Sequence, residues 1–180
     1  MTEVTINKQI KLSEHLTTSS VATLGHSSEL DGSRLSPHFT LGELCKTSAK
    51  TQDGNIPSHV HIENLKRLCG WLEMLRSEWN KRYGEGNDPI IINSGYRSPA
   101  VNKAVGGVAT SNHLTGCAAD IRVANMEQLI RYAAILLDYT DETGEEFDEL
   151  LLERNRFGAF WLHFAVKPKG NRHKVLFISV

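Results

Sequence analysis

No apolar run in this chain approaches the roughly 18 residues needed to cross a membrane, and residues 1 to 30 lack the apolar stretch of a signal peptide. Synthesis in the cytoplasm is the expectation. Net charge is missing too, since 20 Lys and Arg stand against 21 Asp and Glu to leave −1. That balance offers nothing to attract nucleic acid or an anionic membrane surface. The basic runs Lys81-Arg82 and 167–174 are read as solvated faces. Cysteine is scarce: Cys45, Cys69 and Cys117 are an odd number, widely spaced, with no C-x-x-C pair. A disulfide framework is excluded on that count, and buried free thiols are expected.

What is present is an ordinary globular composition, 40% hydrophobic and 23% charged over 180 residues. This suits one domain with a proper core, expected over 37–180, and a monomer. Residues 1–36 form a polar N-terminal arm rich in Ser, Thr and Gly, with short alternating pieces at Val4-Thr5-Ile6 and Ile10-Lys11-Leu12. Thr40 followed three residues later by Glu43 opens a short helix as a capping box. From 58 to 82 the apolar residues Val60, Ile62, Leu65, Leu68, Trp71, Leu72, Leu75 and Trp79 recur at three and four, which predicts the main core helix. His59 and His61, at its start, are assigned to the surface or to capping, because two residues apart they point in different directions. A second amphipathic helix is predicted over 126–137, followed by an acidic turn over 141–146. Strands are predicted at 90–92, 117–123, 147–152, 160–166 and 175–179, the last closing the sheet.

The polar, metal-capable residues concentrate between Ser94 and Asp120, with one echo at Trp161-Leu162-His163. His113 and Asp120 are seven positions apart, and His163 interrupts an apolar strand. Two imidazoles and one carboxylate are the ligand set of a catalytic zinc whose fourth position stays open. Cys117 faces away from Asp120 on an alternating strand and makes a poor ligand. Arg97, on the loop Ser94 to Pro99, carries a guanidinium suited to a bidentate grip on a carboxylate; the bland alternative is a structural Arg paired with an acidic neighbour.

The pattern Ser111-x-His113-x-x-Gly116-x-Ala118-x-Asp120, followed by Trp161-x-His163, resembles signatures of the zinc D-alanyl-D-alanine carboxypeptidase-like family. Ser94-Gly95-Tyr96-Arg97-Ser98 resembles that family's S-G-Y-R-S segment, and Phe147-Asp148-Glu149-Leu150-Leu151 the F-D-Q-L-I strand of one peptidase branch. The resemblance implies an α+β fold with a small antiparallel sheet and flanking helices, as in the hedgehog and D,D-peptidase group. It implies zinc on His113, Asp120 and His163, with Arg97, Ser111 and Tyr96 on the substrate side. It also implies cleavage of D-amino-acid-containing bonds in peptidoglycan stem peptides, by a carboxypeptidase or by an endolysin reaching the cell wall through phage-type lysis.

One departure stands out. Better-known relatives carry a Glu or Asp three residues before the last His as general base, and this chain has Phe160 there. Another carboxylate must serve, or the protein is a zinc-containing cell-wall binding or structural module impaired in catalysis. A hairpin centred near Gly158 puts Glu153 roughly opposite His163, which makes it the candidate base. Glu153 as an edge-strand acid bound to Arg154, Arg156 or the hairpin backbone is the alternative. Asp148 and Glu149 are further candidates, of which at most one faces the site.

Overall fold

Residues 32–179 are described by a computed structural model. The expected arm lies outside the described residues up to residue 31, including both of its alternating pieces. The element order is α1 Leu41–Leu44, α2 His59–Arg82, β1 Ile92–Ser94, α3 Pro99–Ala104, β2 Ala118–Arg122, α4 Met126–Thr143, β3 Glu149–Arg154, β4 Phe160–Ala165 and β5 Lys174–Ser179. A 3₁₀ turn, Asn112–Thr115, lies between α3 and β2.

The helical period of α2 buries Leu65, Leu68, Trp71, Leu72, Leu75 and Trp79 along one stripe, with Ile62 partly buried at its edge, but Val60 in the first turn precedes the core and is exposed. Its start is capped by the His61 ring, whose Nδ1 accepts the Ser58 N–H at 3.2 Å. Helix α4 runs to Thr143, further than 137, and Gly144 (φ 74°) ends it in the left-handed conformation that glycine adopts without strain. The first half of the expected acidic turn is therefore its last helical turn. Trp71 of α2 packs between Tyr139 of α4 at 4.9 Å and Phe164 of β4 at 5.2 Å. Each such large apolar side chain contributes about 1.5–3 kcal/mol on burial.

The five strands form one sheet in the order β1-β2-β4-β3-β5. All neighbouring pairs are antiparallel except β3 and β5, which run parallel. The fold is α+β as expected, but β5 occupies an edge instead of closing an antiparallel sheet. The connection from β4 crosses the start of β3 and is pinned there: His173 donates its N–H to Phe147 O at 3.0 Å, and Lys174 to Asp148 O at 3.1 Å. Entering beside Glu149, β5 can only follow β3 in the same direction.

Strand alternation sorts the sheet into two faces. Ala119, Ile121, Leu150, Leu162 and Phe164 join the core with α2 and α4. The opposite face carries Asp120, His163, Glu149, Leu151, Glu153 and Trp161, which line one groove of about 810 Å³.

Cys45, Cys69 and Cys117 are all buried and free. Burial pushes the Cys45 and Cys69 thiols up to about 12, so neither carries thiolate at neutral pH. The folded protein is expected to resist a thiol-labelling reagent and to take up label on all three cysteines only in guanidinium. Rapid labelling under native conditions would contradict this packing.

Candidate metal centre

His113 rides on the 3₁₀ turn that Ser111 initiates, with the Ser111 Oγ accepting the His113 N–H at 3.3 Å. Gly116 closes the turn at φ 70°, and a Cβ there would lie 2.7 Å from His61 O. Both the left-handed backbone and the close approach to α2 demand glycine. Gly116→Ala is expected to cost about 2–4 kcal/mol of stability, read as a shift in the urea midpoint. A shift below a few tenths of a kcal/mol would refute the close approach.

Asp120 stands in β2 directly opposite His163 of β4. Its Oδ1 lies 3.2 Å from His113 Nε2 and 2.9 Å from His163 Nδ1. The candidate ligand atoms all lie within 4.8 Å of one another, in the only such His, Asp, Glu or Cys group of three or more among the described residues. His113 and His163 are almost fully buried, and their rings meet edge to face with centroids 5.0 Å apart.

The second nitrogen of each ring is directed as well. His113 Nδ1 donates to Gly95 O at 2.6 Å, which leaves Nε2 as the bare lone pair a metal needs. Burial lowers the basicity of His113 despite Asp120 nearby, so it is held neutral, as a ligand must be. His163 Nε2 has no hydrogen-bond partner among the described residues, but Glu149 Oε2 faces it at 3.6 Å, an electrostatic contact. Burial opposes protonation of His163, yet Asp120 and Glu149 outweigh it and strengthen the base. Two imidazoles and a carboxylate, aimed at one buried point with the His113 ring oriented from behind by Gly95 O and the His163 ring faced by Glu149, fit a single divalent ion.

Residues 37–145, well over half of the chain, match the family profile described as Peptidase M15. The protein belongs to the M15 peptidase family. Among curated relatives, the zinc D-Ala-D-Ala carboxypeptidase of Streptomyces albus G is 30% identical over 84 residues, covering 47% of this chain and 31% of that protein. The chain thus aligns with about a third of that relative's length. The M15 profile takes in Arg97, His113 and Asp120 but ends before His163, Glu149 and Glu153. The sheet brings those three to the groove.

Not every M15 candidate lands where the sequence suggests. Tyr96 is 4% exposed, lies in the core and stacks on His61 at 4.7 Å, so it does not line the groove. Its neighbours Gly95 and Arg97 point their functional groups at the site, and in an extended segment the side chain between them must point away. Ser111 does line the groove. Arg97 donates from Nε to Ser94 Oγ at 2.8 Å and from Nη2 to Asp120 Oδ2, so it grips the ligand carboxylate on the oxygen turned away from the rings. The structural pairing foreseen for Arg97 is thus present, and the side chain also borders the groove.

The hairpin register differs by two residues. Leu151 lies opposite His163 and Glu153 opposite Trp161, because Arg154 pairs with Phe160 and the turn is centred on Phe157 instead of Gly158. A shift of two preserves the face, so Glu153 still reaches the groove diagonally from His163. Burial and Asp120 raise its proton affinity, with His163 and Arg97 acting in the opposite sense.

Glu149 shares that face. Its carboxylate is held by Asn112 Nδ2 at 2.9 Å, Arg172 at 2.8 Å and Lys174 at 3.4 Å. Contact with His163 is the main reason its carboxyl falls to about 2, against the effect of burial. Asp148, just before β3, is fully buried and shares Asn112 and Arg172 with Glu149 without lining the groove; burial pushes its carboxyl up, but Arg172, Lys167 and Asn112 hold it below the usual carboxylate range. Lys167, Arg172 and Lys174 are therefore ion-pair partners bordering the groove, and the solvated-face reading of 167–174 is corrected. The alternation Glu149, Leu151, Glu153 was the available signal for Glu149. Nothing local signalled Asn112.

Proposed function

We propose that the protein is a zinc peptidase that hydrolyses a D-amino-acid-containing bond in peptidoglycan stem peptides. The motif resemblance and the partial likeness to a zinc D-Ala-D-Ala carboxypeptidase support the substrate class. The observation that carries the hydrolytic reading is Glu153, a partly buried carboxylate of raised proton affinity on the same sheet face as His163 and Asp120.

Zinc on His113, Asp120 and His163 would supply a Lewis acid that polarises the scissile carbonyl and acidifies a water. Glu153 takes the proton from the attacking water and delivers it to the departing amine, a role its raised affinity suits. Arg97 keeps Asp120 oriented and presents its remaining N–H groups to the groove, where a peptide carbonyl or terminal carboxylate binds. Gly95 O and Glu149 hold the two rings in place.

A second reading, a zinc-containing cell-wall binding or structural module, draws on Phe160. In this fold Phe160 is partly buried against the core, on the sheet face opposite His163, so a base at that position would point away from the groove. That geometry favours Glu153 as the replacement and weakens the module reading. Metal analysis and mass spectrometry of digested muropeptides decide between them. Hydrolysis predicts one zinc per chain and loss of a D-residue or a cut between L- and D-residues; bound zinc with no cleavage of any D-amino-acid peptide would leave the module.

A further inference from the structure

Asn55 lies outside any helix or strand, yet it is 1% exposed and its backbone takes the left-handed conformation at φ 55°. Asn is among the few side chains that tolerate that conformation, because its amide can bond locally. Here the amide bonds across the fold. Nδ2 donates to Cys45 O at 2.7 Å and to Tyr96 O at 3.0 Å, while Oδ1 accepts the Ser98 N–H at 2.7 Å.

The last two bonds bracket Arg97 on either side. The same loop makes two contacts to the first metal ligand: Gly95 O receives His113 Nδ1 at 2.6 Å, and Arg97 N–H donates to His113 O at 3.0 Å. The Arg97 guanidinium reaches Asp120. Clamping Tyr96 and Ser98 therefore sets the position of one ring acceptor and of the cation that grips the ligand carboxylate.

We infer that Asn55 is a positioning residue of the metal centre, acting through the Gly95 to Ser98 loop on His113 and Arg97. It touches neither substrate nor metal. Without it, three buried backbone groups lose their partners and the loop can relax away from the 3₁₀ turn. The inference rests on the zinc reading for one of its two measurements.

The test compares Asn55→Asp and Asn55→Gly with Leu136→Ala. Asp keeps the size and the acceptor for Ser98 but removes both donors; Gly relieves the backbone and deletes all three bonds. Leu136, buried in α4 on the core side of the sheet, calibrates a loss of stability that leaves the loop alone. Zinc affinity, measured by competition with a chromophoric chelator well below each unfolding midpoint, is expected to fall about 10- to 100-fold in both Asn55 variants and to stay unchanged in Leu136→Ala. The second measurement needs no metal: the His113 Nδ1–H resonance, sheltered against Gly95 O, is expected in wild type and Leu136→Ala and lost in the Asn55 variants. Asn55 variants that are merely less stable, with wild-type zinc affinity and an intact ring signal, overturn the inference. If wild type takes up no zinc, the functional proposal fails and the ring signal alone decides the role of Asn55.

Discussion

Asp120→Ala is expected to abolish zinc retention and peptide hydrolysis together. Asp120 is the sole anion of the ligand set, and its Oδ1 is the point on which both imidazoles converge. Removing it leaves two imidazoles beside the Arg97 guanidinium with no anion in the ligand set, an arrangement that would repel a divalent cation. Partners that merely orient a ligand are worth about 10- to 100-fold in affinity, so loss of a direct ligand should exceed about 100-fold. Chelator competition reads the affinity. The same prediction has a thermal form, because an ion that binds only the folded chain stabilises it. A chelator should lower the unfolding midpoint of wild type and leave that of Asp120→Ala where it is. Stoichiometric zinc in the purified variant would remove Asp120 from the centre.

Glu153→Gln and Glu149→Gln are expected to fail in different ways, although both carboxylates face the same groove. Glu153 makes no contact with the ligand rings that would orient them, so its amide variant should keep zinc. Its proton transfer is lost, which costs about 10²- to 10⁴-fold in kcat. Glu149 stands 3.6 Å from His163 Nε2 and is itself fixed by Asn112, Arg172 and Lys174. Its amide variant should bind zinc about 10- to 100-fold more weakly and recover much of its turnover when zinc is in excess. Wild-type turnover by Glu153→Gln would strip that residue of the base role. Should Glu149→Gln prove the slower enzyme at saturating zinc, the two assignments exchange.

Much of this site can be read from local pattern. His113, Asp120 and His163 sit in motifs whose order along the chain already pairs them, and the fold brings their donor atoms to one point. The period of α2 announces the buried stripe from Leu65 to Trp79 without help from any neighbour. Glu153 falls on the groove face under the expected and the observed register alike, because the two differ by two residues and parity survives an even shift. Tyr96 turns into the core instead of the groove, and a loop has no period to say which side chains turn inward. The place of Glu149 beside His163 Nε2 depends on Arg172 and Lys174, which reach it from the end of the β4–β5 connection and the start of β5.

The amino-acid sequence alone determined the chemistry: two imidazoles, a carboxylate and a guanidinium at spacings that suit one metal, inside an α+β pattern of helices and strands. Tertiary structure decided which groups stand behind that chemistry, placing Glu149 and Gly95 at the rings, Glu153 beside the groove, and Asn55 beneath the Arg97 loop. The reason is physical. Period and spacing are properties of neighbouring residues, whereas strand register, loop path and buried amide partners are settled only when distant segments compete for the same space and the same hydrogen bonds.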